Sequence, residues 1–183
     1  MLKCCSCNTT NHNIQVLKVL FFPLEEVRKF TKTPYNFVTL ENCFEYYSSP
    51  KALKNGNLNI CNYCKKNYHS LTQNKIIIAH KTIIINLNRG KGLQNNIGIQ
   101  FNQILNLKKY IFNNEKSPFR YELIGVISNL GTNDMGGNYI SYCKNSDDGE
   151  WYKYNDEQVT KSSFQEISKI GLPYVFFYSN IEV

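Results

Sequence analysis

Cysteine is the residue type best placed to do chemistry in this chain. There are seven, and four of them form two Cys-x-x-Cys knuckles, Cys4–Cys7 and Cys61–Cys64. A knuckle presents two thiolates from one turn, close enough for one ion. Two knuckles complete a tetrahedral four-thiolate zinc site with bonds of about 2.3 Å. Cys4, Cys7, Cys61 and Cys64 are therefore the expected metal ligands. The two halves stand farther apart than in a compact zinc finger, so the segments Ile14–Phe22 and Thr39–Ser48 must lie between them. Three other arrangements fit the spacing. The knuckles could be unrelated pairs of free thiols, Cys5 could replace Cys4 after a register change, or His69 could supply an imidazole in place of one thiolate. Four thiolates leave no open position for water, so such a zinc contributes folding free energy rather than catalysis. Cys43 and Cys143 read as small buried hydrophobes.

The elements that must carry these residues follow from periodicity. Ile14–Phe22 alternates and then runs apolar, which predicts a strand. Thr39 precedes Leu40, Phe44 and Tyr47 at helical spacing and is a plausible N-cap. Asn55-Gly56 is a tight-turn signal. Lys75–Ala79 and Thr82–Leu87 are two β-branched runs, and Gly98–Phe101 and Leu105–Phe112 read as shorter extended pieces. Arg120–Ile127, Asn138–Lys144 and Glu150–Tyr154 read as three strands joined by loops at Gly131–Gly137 and Asn145–Gly149. Ser163 and Glu166 have capping-box spacing and open a short helix. Tyr174–Tyr178 is a last, aromatic strand. The expected fold is α+β, with few short helices and an antiparallel sheet.

Composition limits the function classes. The chain has 183 residues, 42% hydrophobic and 19% charged, which suits one globular domain. No linker supports a division into two. No apolar window approaches the roughly 18 residues of a membrane helix, so no membrane partner is expected. No apolar signal segment follows Met1, and the cysteine number is odd, which favours a cytoplasmic or nuclear compartment. The net charge is +7, from 21 Lys and Arg against 14 Asp and Glu. Only Arg28, Arg89 and Arg120 are arginines, and the lysines are spread along the chain. A solvated lysine-rich surface accounts for that better than a nucleic-acid face does, so a zinc-ribbon nucleic-acid binder is a minor alternative.

The C-terminal motifs carry a family resemblance. Asn129-Leu130-Gly131, Gly137-Asn138-Tyr139, Trp151-Tyr152-Lys153-Tyr154-Asn155-Asp156-Glu157-Gln158-Val159 and Tyr174-Val175-Phe176-Phe177-Tyr178 occur in that order. The series resembles the C-terminal half of the ubiquitin-specific protease catalytic domain. Upstream, Thr39-Leu40-Glu41-Asn42-Cys43-Phe44 is similar to the family's Ser-Leu-Glu-Asp-Cys-Leu helix. Ile83 to Arg89 is similar to its Leu-Ile-Ile-His-Leu-Lys-Arg strand. Phe101, Leu105-Asn106-Leu107 and Tyr110 resemble its Phe-Pro…Leu-Asp-Leu-x-x-Tyr run. The knuckles fall where the family has zinc-ribbon "fingers". The resemblance covers about residues 1–179. It implies a partial papain-like cysteine protease fold, with fingers over roughly 1–80, an antiparallel β palm over roughly 81–179, and the "thumb" missing.

That family cleaves the isopeptide bond after the ubiquitin C-terminus. Its chemistry needs a Cys nucleophile, a His base, an orienting Asn or Asp and an oxyanion donor. The resemblance puts Asn138 at the base position, Asn155 at the orienting position, and Asp156 beside it. Gly136 and Gly137, followed by Tyr139, would form the narrow channel for the ubiquitin tail; a simple hairpin turn is the other reading of the glycine pair. A carboxamide at 138 cannot take a thiol proton near neutral pH as imidazole can. No Asn-x-Cys-Tyr-like nucleophile box occurs. Trp151 and Tyr154 read as core aromatics, and Tyr139 resembles a core-facing one. Asp134, Asp147, Asp148, Glu150 and Glu157 could offer the basic ubiquitin tail an acidic patch. The resemblance therefore implies a deubiquitinase-like domain, inactive as it stands, with ubiquitin or a ubiquitinated protein, and a separate thumb segment, as its partners.

Overall fold

A computed structural model describes residues 1–32, 37–52, 59–68, 70–90, 96–112, 117–129, 138–170 and 172–181. Four short strands, β1 (Leu2–Cys4), β2 (Thr10–Asn11), β5 (Lys51–Ala52) and β8 (Ser70–Thr72), form one small sheet in the order β2-β1-β8-β5. Beside it β6 (Asn59–Ile60) pairs with β7 (Asn67–Tyr68) around the second knuckle.

The large sheet is built from β3 (Val19–Pro23), β9 (Thr82–Asn88), β11 (Ile104–Asn106), β12 (Arg120–Asn129), β13 (Tyr139–Lys144), β14 (Trp151–Asn155), β15 (Gln158–Ser162) and β16 (Leu172–Asn180). Its order is β15-β14-β13-β12-β16-β9-β3, with β11 also on β12. Every pairing in it is antiparallel except β3 with β9. Alternation decides which face is inward: Ile83, Ile85 and Leu87 of β9, Tyr121 and Leu123 of β12, and Phe176 and Tyr178 of β16 are buried.

Two helices cover that face. α1 (Leu24–Thr31) buries Leu24 and Val27, and α2 (Leu40–Ser48) buries Leu40, Cys43 and Phe44. α2 is preceded by β4 (Phe37–Thr39), which pairs in parallel with β10 (Gly98–Gln100). α3 (Phe164–Ile167) links β15 to β16. Phe22 meets Phe44 edge-on at 5.1 Å, and Phe44 stacks on Tyr110 at 5.4 Å. Arg89 is 2% exposed and donates to the carbonyls of Pro173 and Ile97 at 2.6–3.0 Å. It ties the end of β9 to the start of β16. Burial lowers its pKa to about 10.

Thr39 caps α2 as expected, in a full capping box with Asn42. Ser163 caps α3 at Glu166 N, while the Glu166 carboxylate accepts instead from Ser162. Several expectations are corrected. The strand read at Ile14–Phe22 begins only at Val19, and residues 14–18 are irregular. Lys75–Ala79 is no strand; Ile76 makes one isolated bridge to Ile111. The extended piece at Leu105–Phe112 reduces to β11 and a turn. The helix α1 and the strand β15 were not anticipated. Cys143 and Tyr154 are exposed rather than buried, and Tyr139 is 56% exposed rather than core-facing. Asn55-Gly56 lies outside the described residues.

Candidate functional site

The two knuckles converge. The sulfurs of Cys4, Cys7, Cys61 and Cys64 all lie within 4.8 Å of one another. Cys7 Sγ is 3.6 Å from Cys61 Sγ, and Cys4 Sγ is 4.0 Å from Cys64 Sγ. A tetrahedron with bonds of about 2.3 Å has edges of about 3.8 Å, so the cluster has the dimensions of a zinc–thiolate site. These separations far exceed the roughly 2.05 Å of a disulfide.

The knuckles share one local geometry. Cys4 N donates to Thr9 O and Asn8 N to Cys4 O, both at 2.9 Å. Likewise Cys61 N donates to Lys66 O at 3.0 Å and Lys65 N to Cys61 O at 2.8 Å. In each knuckle the residue after the second cysteine is left-handed, Asn8 at φ 59° and Lys65 at φ 58°. The first cysteine of each is buried and the second half-buried. The Thr9 hydroxyl and backbone hold the Cys7 thiol down at about 6, while burial and the neighbouring thiols push the Cys64 thiol up to about 11. Cys5 is exposed and outside the cluster, and His69 lies outside the described residues. The donor set fits a structural metal: four soft ligands and no open position.

A second cluster sits at one end of the large sheet. β13 and β14 pair with Ser141 opposite Tyr154. Extending that ladder puts Ile140 opposite Asn155 and leaves Asn138 as a diagonal neighbour of Asn155 on the same face. Asn138 is exposed. Asn155 Oδ1 is buried and has no hydrogen-bond partner among the described residues. A buried carbonyl oxygen without a partner is uncommon and costs stability. Asp156 follows in the left-handed region at φ 51°, in the turn closed by the Asn155–Gln158 pair. Its position serves the hairpin, since Asp tolerates that conformation better than most residues. Tyr139 packs edge-on against Tyr174 at 5.7 Å, and Tyr174 in turn lies under the Arg89 guanidinium at 5.4 Å. Gly136, Gly137 and Asp134 fall outside the described residues.

Among the described residues, no Cys thiol or His imidazole lies near this end of the sheet. β16 runs from Leu172, opposite Asn129, to Ser179, opposite Thr82. Seven residue steps at about 3.3 Å put His80 roughly 23 Å away along the sheet. His12 follows β2, in the small sheet. Cys43 is buried in α2, where desolvation pushes its thiol up to about 12. Cys143 is exposed, on the face of β13 opposite Ile140 and Tyr142. Asp147, Asp148 and Glu150 are exposed around the β13–β14 turn, at the end of β13 away from Asn138, so they do not form the expected acidic patch beside it; Asp148 accepts from the Tyr152 hydroxyl at 2.8 Å.

A palm-like sheet packed under two helices, with a four-thiolate ribbon beside it, defines a papain-like protease scaffold as the class. Comparison with known proteins then fixes the family. The ubiquitin carboxyl-terminal hydrolase family model matches residues 1–178, and the chain belongs to that family. It is 30% identical over 155 residues to ubiquitin carboxyl-terminal hydrolase 8 of Saccharomyces cerevisiae, with 76% of this chain and 32% of the relative covered. It is 29% identical over 150 residues to ubiquitin carboxyl-terminal hydrolase 15 of Homo sapiens, with 78% of this chain and 15% of the relative covered. Among solved structures, a chain of the SAGA DUB module Ubp8/Sgf11/Sus1/Sgf73 bound to monoubiquitin superposes with a TM-score of 0.79 at 27% identity, covering 100% of this chain and 39% of that one. The chain thus spans a third or less of these curated relatives' length. No described helix is long and apolar enough to cross a membrane.

Proposed function

We propose that this chain is the fingers-and-palm portion of a deubiquitinase-type domain that binds ubiquitin, or a ubiquitinated protein, and does not itself cleave the isopeptide bond. The observation that carries this reading is the pair Asn138 and Asn155. Asn138 stands where the family resemblance puts the imidazole, and no described His or Cys lies near it. Asn155 keeps an acceptor suited to orient an imidazole, yet that acceptor has no partner among the described residues. An orienting group without a base cannot generate a thiolate. The similar SAGA DUB module, one chain of which matches all of this chain, was solved with monoubiquitin bound, and that supports the binding.

In this reading the four-thiolate cluster holds one structural zinc ion, which fixes the ribbon and takes no part in bond cleavage. Tyr139 and the glycine pair Gly136-Gly137 would line the path of the ubiquitin tail; the acids Asp147, Asp148 and Glu150 lie about 20 Å away at the far end of β13 and take no part in it. The test has two parts. Titration of isotope-labelled ubiquitin with the purified chain should give saturable shifts at micromolar concentrations, and a ubiquitin–fluorophore substrate should not turn over. Turnover that survives repurification and co-elutes with the chain would overturn the inactivity. Absence of any ubiquitin shift would overturn the binding.

A further inference from the structure

An apolar groove opens at the β3 edge of the large sheet, in a volume of about 370 Å³. One wall is the irregular segment of residues 13–18; the other is 75–80, the apolar run that forms no strand. Leu20, Tyr47, Ile83 and Ile84 supply the floor. The walls expose large aliphatic side chains to water: Ile14 is 75% exposed, Val16 79% and Ile78 70%. Phe112, whose backbone N–H bonds Ile76 O at 2.8 Å, extends the patch. A contiguous exposed apolar surface of this kind marks an interaction site more often than an idle one.

The polar part of the groove has one sign. Lys18 and Lys75 stand among its lining residues, and no Asp or Glu does. Neither lysine has a carboxylate partner among the described residues; Lys75 lies over the Phe112 ring at 4.4 Å. The floor and walls present mainly aliphatic and aromatic side chains. A helix satisfies its own backbone and presents apolar anchors at i, i+3, i+4 and i+7. Acidic residues flanking those anchors would meet the two lysines. We propose that this groove seats an acidic amphipathic helix of a protein partner. A second copy of this chain is a poor occupant, because it also carries a charge of +7. The proposal does not depend on ubiquitin binding at the other end of the sheet.

The probe is a fluorescein-labelled helical peptide of about 18 residues with Leu at the anchor positions and Glu on the flanks. A matched peptide carries Lys for Glu. Anisotropy titration should give saturable binding of the acidic peptide, about tenfold or more tighter than the basic one, and weaker in high salt. Ile78→Asp, at an exposed position, should weaken it about tenfold while thermal unfolding stays unchanged. Lys18→Glu with Lys75→Glu should reverse the preference between the two peptides. No saturation at millimolar peptide, equal affinity for both peptides, or binding indifferent to Ile78→Asp would overturn the proposal. So would a concentration-dependent dimer in sedimentation that Ile78→Asp abolishes, since the groove would then hold a second copy. Ubiquitin titration of the same variants separates the two readings: Ile78→Asp should leave it unchanged.

Discussion

Removing the metal should unfold the ribbon and spare the palm. The two knuckles, Cys4–Thr9 and Cys61–Lys66, fix twelve residues. At about 1–2 kcal/mol of backbone entropy each, ordering them costs roughly 12–24 kcal/mol. Their four backbone hydrogen bonds return about 0.5–1.5 kcal/mol each, or roughly 2–6 kcal/mol in all. A structural zinc contributes about 10–16 kcal/mol at neutral pH, net of the ordering it induces, so with the ion the ribbon and its strands β1, β8, β6 and β7 stay folded. Without it the deficit is on the order of 10 kcal/mol, far more than those short strands can offset. The palm does not share that fate. Cys4 and Cys61 form a buried cluster of their own, separate from the main core around Phe22, Phe44 and Phe176.

The chain's one tryptophan makes this measurable. Trp151 is buried in the main core, so its emission reports the palm alone. A strong chelator should release one zinc per chain, read with a metallochromic dye. Amide hydrogen exchange in residues 1–11 and 59–72 should then approach unfolded rates. Trp151 emission should stay blue-shifted, and a thermal transition of the palm should persist. A red shift of Trp151 in step with zinc release would refute the separation of the two cores. A purified chain without bound zinc would refute the pairing of the knuckles.

Lys65→Gly should stabilise the ribbon by about 1 kcal/mol, because Lys65 is held at φ 58°, where glycine avoids the Cβ penalty; zinc retention against a graded chelator series checks it. Arg89→Met should lower stability by about 2–5 kcal/mol in urea unfolding, since it strands the buried carbonyls of Pro173 and Ile97. Asn155→Leu should leave stability unchanged or raise it by about 1 kcal/mol, because it removes a buried acceptor with no partner among the described residues; a loss above about 2 kcal/mol would show that the oxygen is bonded. Asn138→His should change stability by less than about 0.5 kcal/mol, as the site is exposed, and should not yield hydrolysis of a ubiquitin–fluorophore substrate.

Some of this was legible in the sequence for a definite reason. Two knuckles have few uses, and Thr39 with Asn42 behind an apolar stripe can hardly be anything but a capped helix start. Apolar runs are less informative. Ile14–Lys18 and Lys75–Ala79 look like strands by residue type, but a strand needs a ladder partner, and residue type does not say where the sheet stops. The β9 edge is taken by only five residues of β3, so both runs are left as groove walls. The helix α1 did carry a signal: Leu24 and Val27 are spaced for one face, Glu25 and Glu26 open the first turn, and Arg28 and Lys29 close the last. Pro23 ahead of it was the punctuation. Cys143 was also readable. Ile140 and Tyr142 alternate inward on β13, which puts Cys143 on the opposite face. Asn155 Oδ1 was beyond reach, because a missing partner is a fact of three-dimensional packing alone.

The parts that stabilise this protein and the parts its family uses for chemistry are separate sets of residues. The ribbon rests on four sulfurs, the helices on Thr39 and the Phe22–Phe44–Tyr110 stack, and the β9–β16 junction on Arg89. Asn138 contributes to none of these; it is exposed at the open end of β13. In the proposed reading, a carboxamide in place of a base at 138 would cost the fold no contact and would leave no proton acceptor for a thiol there. Asn155 differs. Its oxygen is enclosed, so it bears a desolvation cost whether or not an imidazole is present to use it. A buried acceptor without a partner among the described residues carries a small standing instability, which a core of this size is large enough to tolerate.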